Sequence, residues 1–182
     1  CRGARPPPPM TRNIILAAAQ MGPVSRTETR TAVVRRMIEL MRQAAAMGAQ
    51  VVAFPEAALT AFFPHWWIED EDEINSRFET EMPGPETLPL FDEARRLRIG
   101  FHLGYCELDR SGGRTRRFNS AILVDRDGAL IGKYRKIHLP GHADHRPDTP
   151  FQNLEKRCFE VGDLGFGAWR AWGGVAGMLI CN

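Results

Sequence analysis

Residues 48–60 read GAQVVAFPEAALT. The short apolar run at 50–54 is rich in valine and has the length of a buried strand. Pro55 stops it, which leaves Glu56 at the carboxyl end of that strand. Upstream, Ser25-Arg26-Thr27-Glu28 has the form of a capping box. Behind it Val33, Val34, Met37, Ile38, Met41, Ala44 and Ala45 recur at helical spacing, and Gly48 closes the helix. Before the helix, NIILAAA at 13–19 reads as another buried strand. A strand, a helix and a strand in that order begin a layered arrangement of helices on a sheet.

The reading extends outward from this unit. A second helix is expected from near Pro85, with Leu88, Phe91, Ala94 and Leu97 as its apolar stripe. Residues 99–108 read as a strand, and 109–117 (DRSGGRTRR) as a polar turn. Strands at 118–124 and 129–134 flank the turn DRDG. From Lys136 to about residue 167 there is little periodicity, and loops of that length are commonly functional. AWRAW and VAGMLI then flank Gly173-Gly174 as a hairpin whose second strand leads into Cys181. The expected fold class is α/β, or α+β layered, with helices against a sheet.

Composition narrows the function classes. The chain has 182 residues, 43% hydrophobic and 25% charged, with a formal net charge of +2. That is the profile of one globular domain. A near-balanced charge predicts no nucleic-acid or membrane partner, and no apolar run approaches the ~18 residues of a membrane span. The proline-rich stretch 1–9 reads as a leader outside the fold, which is expected to span 10–182. Cys1, Cys106, Cys158 and Cys181 are scattered without a CxxC pair. Such usage fits a reducing, cytoplasmic setting better than a disulfide scaffold or zinc ribbon.

Three polar residues stand at expected strand ends: Glu56, Lys136 and Cys181. A cysteine attacks as its thiolate. A neighbouring carboxylate can take the proton, and an ammonium can stabilise both the thiolate and an oxyanion on the substrate. These residue types suffice for attack on an amide, ureide or nitrile carbon.

FPEAALT around Glu56, GKYRKIHLP around Lys136 and GMLICN around Cys181 resemble the three signatures of the nitrilase, or carbon–nitrogen hydrolase, superfamily. The resemblance covers residues 10–182 and implies an αββα sandwich carrying a Glu–Lys–Cys triad. TAFFPHWW, FETEMPGP, RFNSAILVD, KIHLPGH and FQNLEKRCFEVGDLGF further resemble the N-carbamoyl-D-amino-acid amidohydrolases. That implies a small-molecule N-carbamoyl amino acid as substrate, hydrolysed to the D-amino acid, carbon dioxide and ammonia, without a cofactor or metal. Glu56 would be the base, Lys136 the oxyanion stabiliser and Cys181 the nucleophile. Glu155 would orient the lysine and the attacking water, and His138, Asn153 and Asn182 would touch substrate. Asn153 departs from the pattern, where a histidine is expected. N-carbamoylputrescine amidase, aliphatic amidase and nitrilase are the alternatives within the superfamily, and a homo-oligomer is implied for the full-length protein.

Competing readings are specific. His138, His142 and His145 could seat a metal with Asp144 or Asp148, but Pro140 and Gly141 break the helix that would align them. Phe62, Phe63, Trp66 and Trp67 read as core or subunit interface rather than a base-stacking platform. Glu155, in EKR, could equally belong to a surface ion-pair cluster, and Lys136 to a solvated basic run. The chain also stops one residue after Cys181. It is therefore expected to be truncated after the nucleophile strand, with an exposed edge and little or no activity by itself.

Overall fold

The computed structural model describes residues 12–181. The leader at 1–9, the fold's expected start at Met10, and Asn182 lie outside the described residues. Five strands form one sheet: β1 (Leu16–Ala18), β2 (Val51–Ala53), β3 (Gly100–Asp109), β4 (Arg116–Val124) and β5 (Leu130–Arg135), in that spatial order. The pairs β1–β2 and β2–β3 are parallel, whereas β3–β4 and β4–β5 are antiparallel. Helix α1 (Arg30–Ala46) makes the first crossover. The second carries α2 (Glu71–Asn75) and α3 (Leu88–Leu97). A one-turn helix α4 (Glu155–Cys158) and a hairpin of β6 (Ala168–Ala171) and β7 (Gly174–Gly177) follow.

Alternation along the strands divides the sheet into two faces. Phe101, Leu103, Tyr105, Ile122 and Val124 face α1 and α3, where they meet Val33, Met37, Met41, Leu90, Phe91 and Ala94. Each large side chain buried there stabilises the fold by roughly 1.5–3 kcal/mol. Ala121 and Leu123 point the other way, into a cluster with Tyr134, Met178 and Ile180, against which Trp169 and Trp172 pack. Gly132 permits this approach, because a Cβ there would lie 2.5 Å from the Trp169 ring. Farther along the same face, Cys106 and Leu108 join Phe63, Phe78, Leu154 and Phe159. Phe63 is thus core, with Phe62, Trp66 and Trp67 packed against it.

Several boundaries differ from expectation. Helix α1 starts at Arg30, capped by Thr29, whose side chain accepts from Ala32 N–H at 3.2 Å. The Ser25–Glu28 pair only closes the preceding turn, with Ser25 N–H donating to Glu28 at 3.3 Å. Tertiary contacts decide the start: Arg30 pairs with Glu79 and donates to the Leu59 carbonyl. Strand β1 is an edge with Leu16 70% exposed, so it is not a buried strand. In α3, Leu90 replaces Leu88 in the buried stripe. A strict three-residue step lags the helical period and drifts off the face. The hairpin forms as expected around Trp172 and Gly173, both at positive φ, but its second strand ends at Gly177. Cys181 therefore stands four residues beyond a strand rather than at its tip. Met178 and Ile180 are held there by side-chain burial, without ladder pairing.

No described helix is long and apolar enough to cross a membrane.

Candidate active site

Glu56 owes its place to a close backbone crossing. Beyond β2, residues 54–58 hook over Gly104 of β3, with Phe54 N–H donating to the His102 carbonyl and Ala58 N–H to the Gly104 carbonyl. Ala57 takes a φ of 47°, which turns the chain sharply after Glu56. A Cβ at Gly104 would lie 2.6 Å from the Pro55 carbonyl oxygen and 2.7 Å from Glu56 Cα. Gly104→Ala must displace the peptide that carries Glu56. It is expected to lower unfolding free energy by about 1–3 kcal/mol. Chemical denaturation checks this; an unchanged midpoint would show that the crossing tolerates a methyl group.

Lys136 follows β5, and its neighbour Arg135 shows how the strand end is fixed. Arg135 points to the helix-bearing face, where its guanidinium donates to Glu107 at 2.7 and 3.0 Å, to Asp109 at 2.8 Å and to Asp163 at 2.9 Å. It also lies over the Phe118 ring at 3.8 Å. Lys136 points to the opposite face. Its backbone N–H donates to the Asn119 carbonyl at 2.8 Å, and its carbonyl accepts from Gly162 N–H at 2.9 Å.

The Lys136 ammonium, with no side-chain exposure, donates to Glu56 Oε1 at 2.7 Å and to Glu155 Oε2 at 2.8 Å. Burial by itself would favour the neutral amine. The hydrogen bonds to Glu155 and Glu56 outweigh that, and the lysine pKa is raised above its ordinary value. The group therefore stays cationic throughout the neutral range. Neither a solvated basic run nor a surface EKR cluster describes these residues. Glu155 is 3% exposed, because the single turn α4 sends it inward while Lys156 faces solvent.

The remaining expected site residues are distributed unevenly. The Asn153 side-chain oxygen accepts from Glu155 N–H at 3.2 Å, so that amide steadies the start of α4. His138 sets its ring 6.2 Å from Phe166. His145 stacks on Trp67 at 4.4 Å, whose ring also carries Arg157 at 3.9 Å. The backbone N–H of His142 donates to the Asn153 carbonyl. The three histidines thus serve different neighbours, and no group of three metal-ligating side chains is assembled among the described residues.

Cys181 is exposed and takes a φ of 51°, a left-handed conformation that is costly for a residue with a Cβ. Its chain neighbour Ile180 belongs to the cluster that includes Ala121, two residues along β4 from Asn119. Cys106 and Cys158 are buried, and burial raises both thiol pKa values, that of Cys158 to about 11. Neither is suited to form a thiolate near neutrality. A cavity of about 450 Å³ bounded by Arg12, Arg126, Arg170 and Trp172 lies elsewhere, and none of the clustered residues lines it.

Sequence reading missed Asn119. It is fully buried, and its Nδ2 donates to Glu56 Oε1 at 2.6 Å. The available signal was an amide inside the largely apolar strand run FNSAILV, since a buried polar group needs a partner.

Comparison with known proteins shows the family and the fold. The family model described as carbon-nitrogen hydrolase matches residues 15–182. A nitrilase of Pyrococcus abyssi is 33% identical over 143 residues, covering 79% of this chain and 47% of the relative. An N-carbamoylputrescine amidase of Solanum tuberosum is 24% identical over 170 residues, 93% of this chain and 51% of the relative. The chain thus spans about half the length of the curated relatives it matches. In structure, a carbon-nitrogen hydrolase from Helicobacter pylori superposes with a TM-score of 0.69 at 22% identity, over 92% of this chain and 51% of that one. An amidase from Nesterenkonia sp. gives 0.63 at 19% identity, over 92% and 55%. These structures share the mixed α/β fold, a sheet with flanking helices.

Proposed function

The chain belongs to the carbon–nitrogen hydrolase family, and from that premise we propose that the full-length protein hydrolyses a small-molecule C–N bond through Cys181. The observation that carries this reading is the buried Lys136 ammonium held by two carboxylates at 2.7 and 2.8 Å. A fold gains little from burying such a cluster, because desolvation offsets most of the attraction. Its value lies in chemistry at a neighbouring carbon.

In this reading the Cys181 thiol gives its proton to Glu56 as sulfur bonds to the substrate carbon. Lys136 stabilises the oxygen that becomes negative. The leaving nitrogen takes the proton from Glu56 as its bond to carbon breaks. Water then attacks the thioester-like intermediate, giving its proton to Glu56, and the thiol is regenerated. Glu155 holds Lys136 in place throughout. For an N-carbamoyl amino acid the products are ammonia and a carbamate, and the carbamate falls apart to carbon dioxide and the amino acid. The motif resemblance supports an N-carbamoyl-D-amino acid as substrate. A nitrile is the second reading, favoured by the 33% identity to the Pyrococcus abyssi nitrilase. The scattered cysteines support a reducing, cytoplasmic setting.

A substrate panel tests the proposal. The full-length protein is expected to release ammonia from N-carbamoyl-D-phenylglycine faster than from N-carbamoylputrescine, the matching amide or the matching nitrile. Iodoacetamide at neutral pH is expected to stop turnover and to label Cys181 ahead of Cys106 and Cys158 on peptide mapping. Faster nitrile hydrolysis would move the substrate to the second reading. Full activity after Cys181 alkylation would sink the thiol mechanism.

A further inference from the structure

Asn119 touches both halves of the carboxylate–lysine cluster. Its Nδ2 donates to Glu56 Oε1 at 2.6 Å, and the same oxygen accepts from Lys136 Nζ at 2.7 Å. Its backbone carbonyl accepts from Lys136 N–H at 2.8 Å. The residue is fully buried, and its side-chain Oδ1 lies buried with no hydrogen-bond partner among the described residues. We propose that Asn119 is a positioning residue that, with Lys136, pins Glu56 by Oε1 and leaves Oε2 as the oxygen that takes the thiol proton. This rests on the reading of Glu56 as the base.

Two physical points carry the proposal. A carboxylate only accepts hydrogen bonds, so the amide must present its NH2 to Glu56. The orientation follows from the partner's chemistry. That choice leaves Oδ1 in the interior without a partner among the described residues, which is unfavourable for folding. An apolar side chain of similar size, beside Ala121 on the same face, would avoid the penalty, and the backbone link to Lys136 needs no particular side chain. What only the amide supplies is a donor on the base.

The proton balance is simple. When sulfur bonds to carbon, the S–H bond breaks, its electron pair stays on sulfur, and the proton passes to Oε2. On collapse that proton leaves with the departing nitrogen. Asn119 keeps its own protons and acts through Glu56.

The test compares Asn119→Ala, Asn119→Asp and Glu56→Gln in the full-length protein. Asn119→Ala is expected to lower kcat about 10- to 100-fold while KM stays within about threefold, since Asn119 acts on the base and not on substrate. Asn119→Asp preserves size, but its side chain can donate only when protonated. Its kcat relative to wild type is therefore expected to rise about tenfold or more as pH falls from about 8 to about 5. A merely structural role would leave that ratio flat. Should the alanine variant fail to fold, the near-isosteric aspartate variant still gives the ratio. Glu56→Gln inactive, with both Asn119 variants at wild-type kcat and a flat pH ratio, overturns the assignment of Asn119 alone. Glu56→Gln retaining full turnover overturns the base assignment, and this inference with it.

Discussion

Lys136→Met is expected to abolish turnover and to destabilise the protein by about 3–5 kcal/mol, the usual consequence of removing one member of a buried charge cluster. Glu56 and Glu155 both reach the same ammonium, at 2.7 and 2.8 Å. Without it, their carboxylates face each other in a site where Glu155 is nearly inaccessible. Adding Glu155→Gln to Lys136→Met should recover part of the stability, because the repulsion between two carboxylates is removed, and none of the activity, because the proposed oxyanion partner is still missing. Denaturant unfolding, with turnover of each variant, checks this. Equal stability of Lys136→Met and wild type at pH 8 would mean that the three groups do not form a charged clamp.

The second large effect belongs to Cys181. In the full-length protein Cys181→Ala is expected to lower kcat by roughly 10⁴-fold or more, since the proposed nucleophile is removed. The side chain is exposed, so the substitution opens no buried cavity and is expected to keep the fold. Removing strain at a φ of 51° requires glycine rather than alanine. Cys181→Gly should therefore be slightly more stable than Cys181→Ala and equally inactive. Mass spectrometry of substrate-treated wild type should trap an adduct on Cys181 that neither variant forms. Turnover surviving in the alanine variant would remove the thiol from the mechanism.

Burial decides why some of this was legible and some was not. The strand–helix–strand unit could be read because Val33, Met37, Met41 and Ala44 repeat at a local period that packing on a sheet requires. Glu56 was legible because Pro55 ends an apolar strand directly before it. The start of α1 was not, since Arg30's distant partners Glu79 and the Leu59 carbonyl outweighed a local capping pattern. Arg135 and Lys136 look alike as neighbours in a basic run. They differ because successive residues at a strand end face opposite sides of a sheet, and each side supplies its own carboxylates. No local pattern encodes those partners, which lie 19 to 80 residues away along the chain.

The amino-acid sequence by itself determined the order of the strands and of the two longer helices, and it singled out Glu56, Lys136 and Cys181 as candidates, because these readings depend on periodicity and on motifs within short windows. Only the tertiary structure decided that Glu155 is a buried partner of Lys136, that Asn119 holds Glu56, and that Cys181 lies past the end of a strand. Each of those outcomes depends on which side chains converge across the sheet face, and convergence is fixed by the packing of distant segments and not by sequence neighbours.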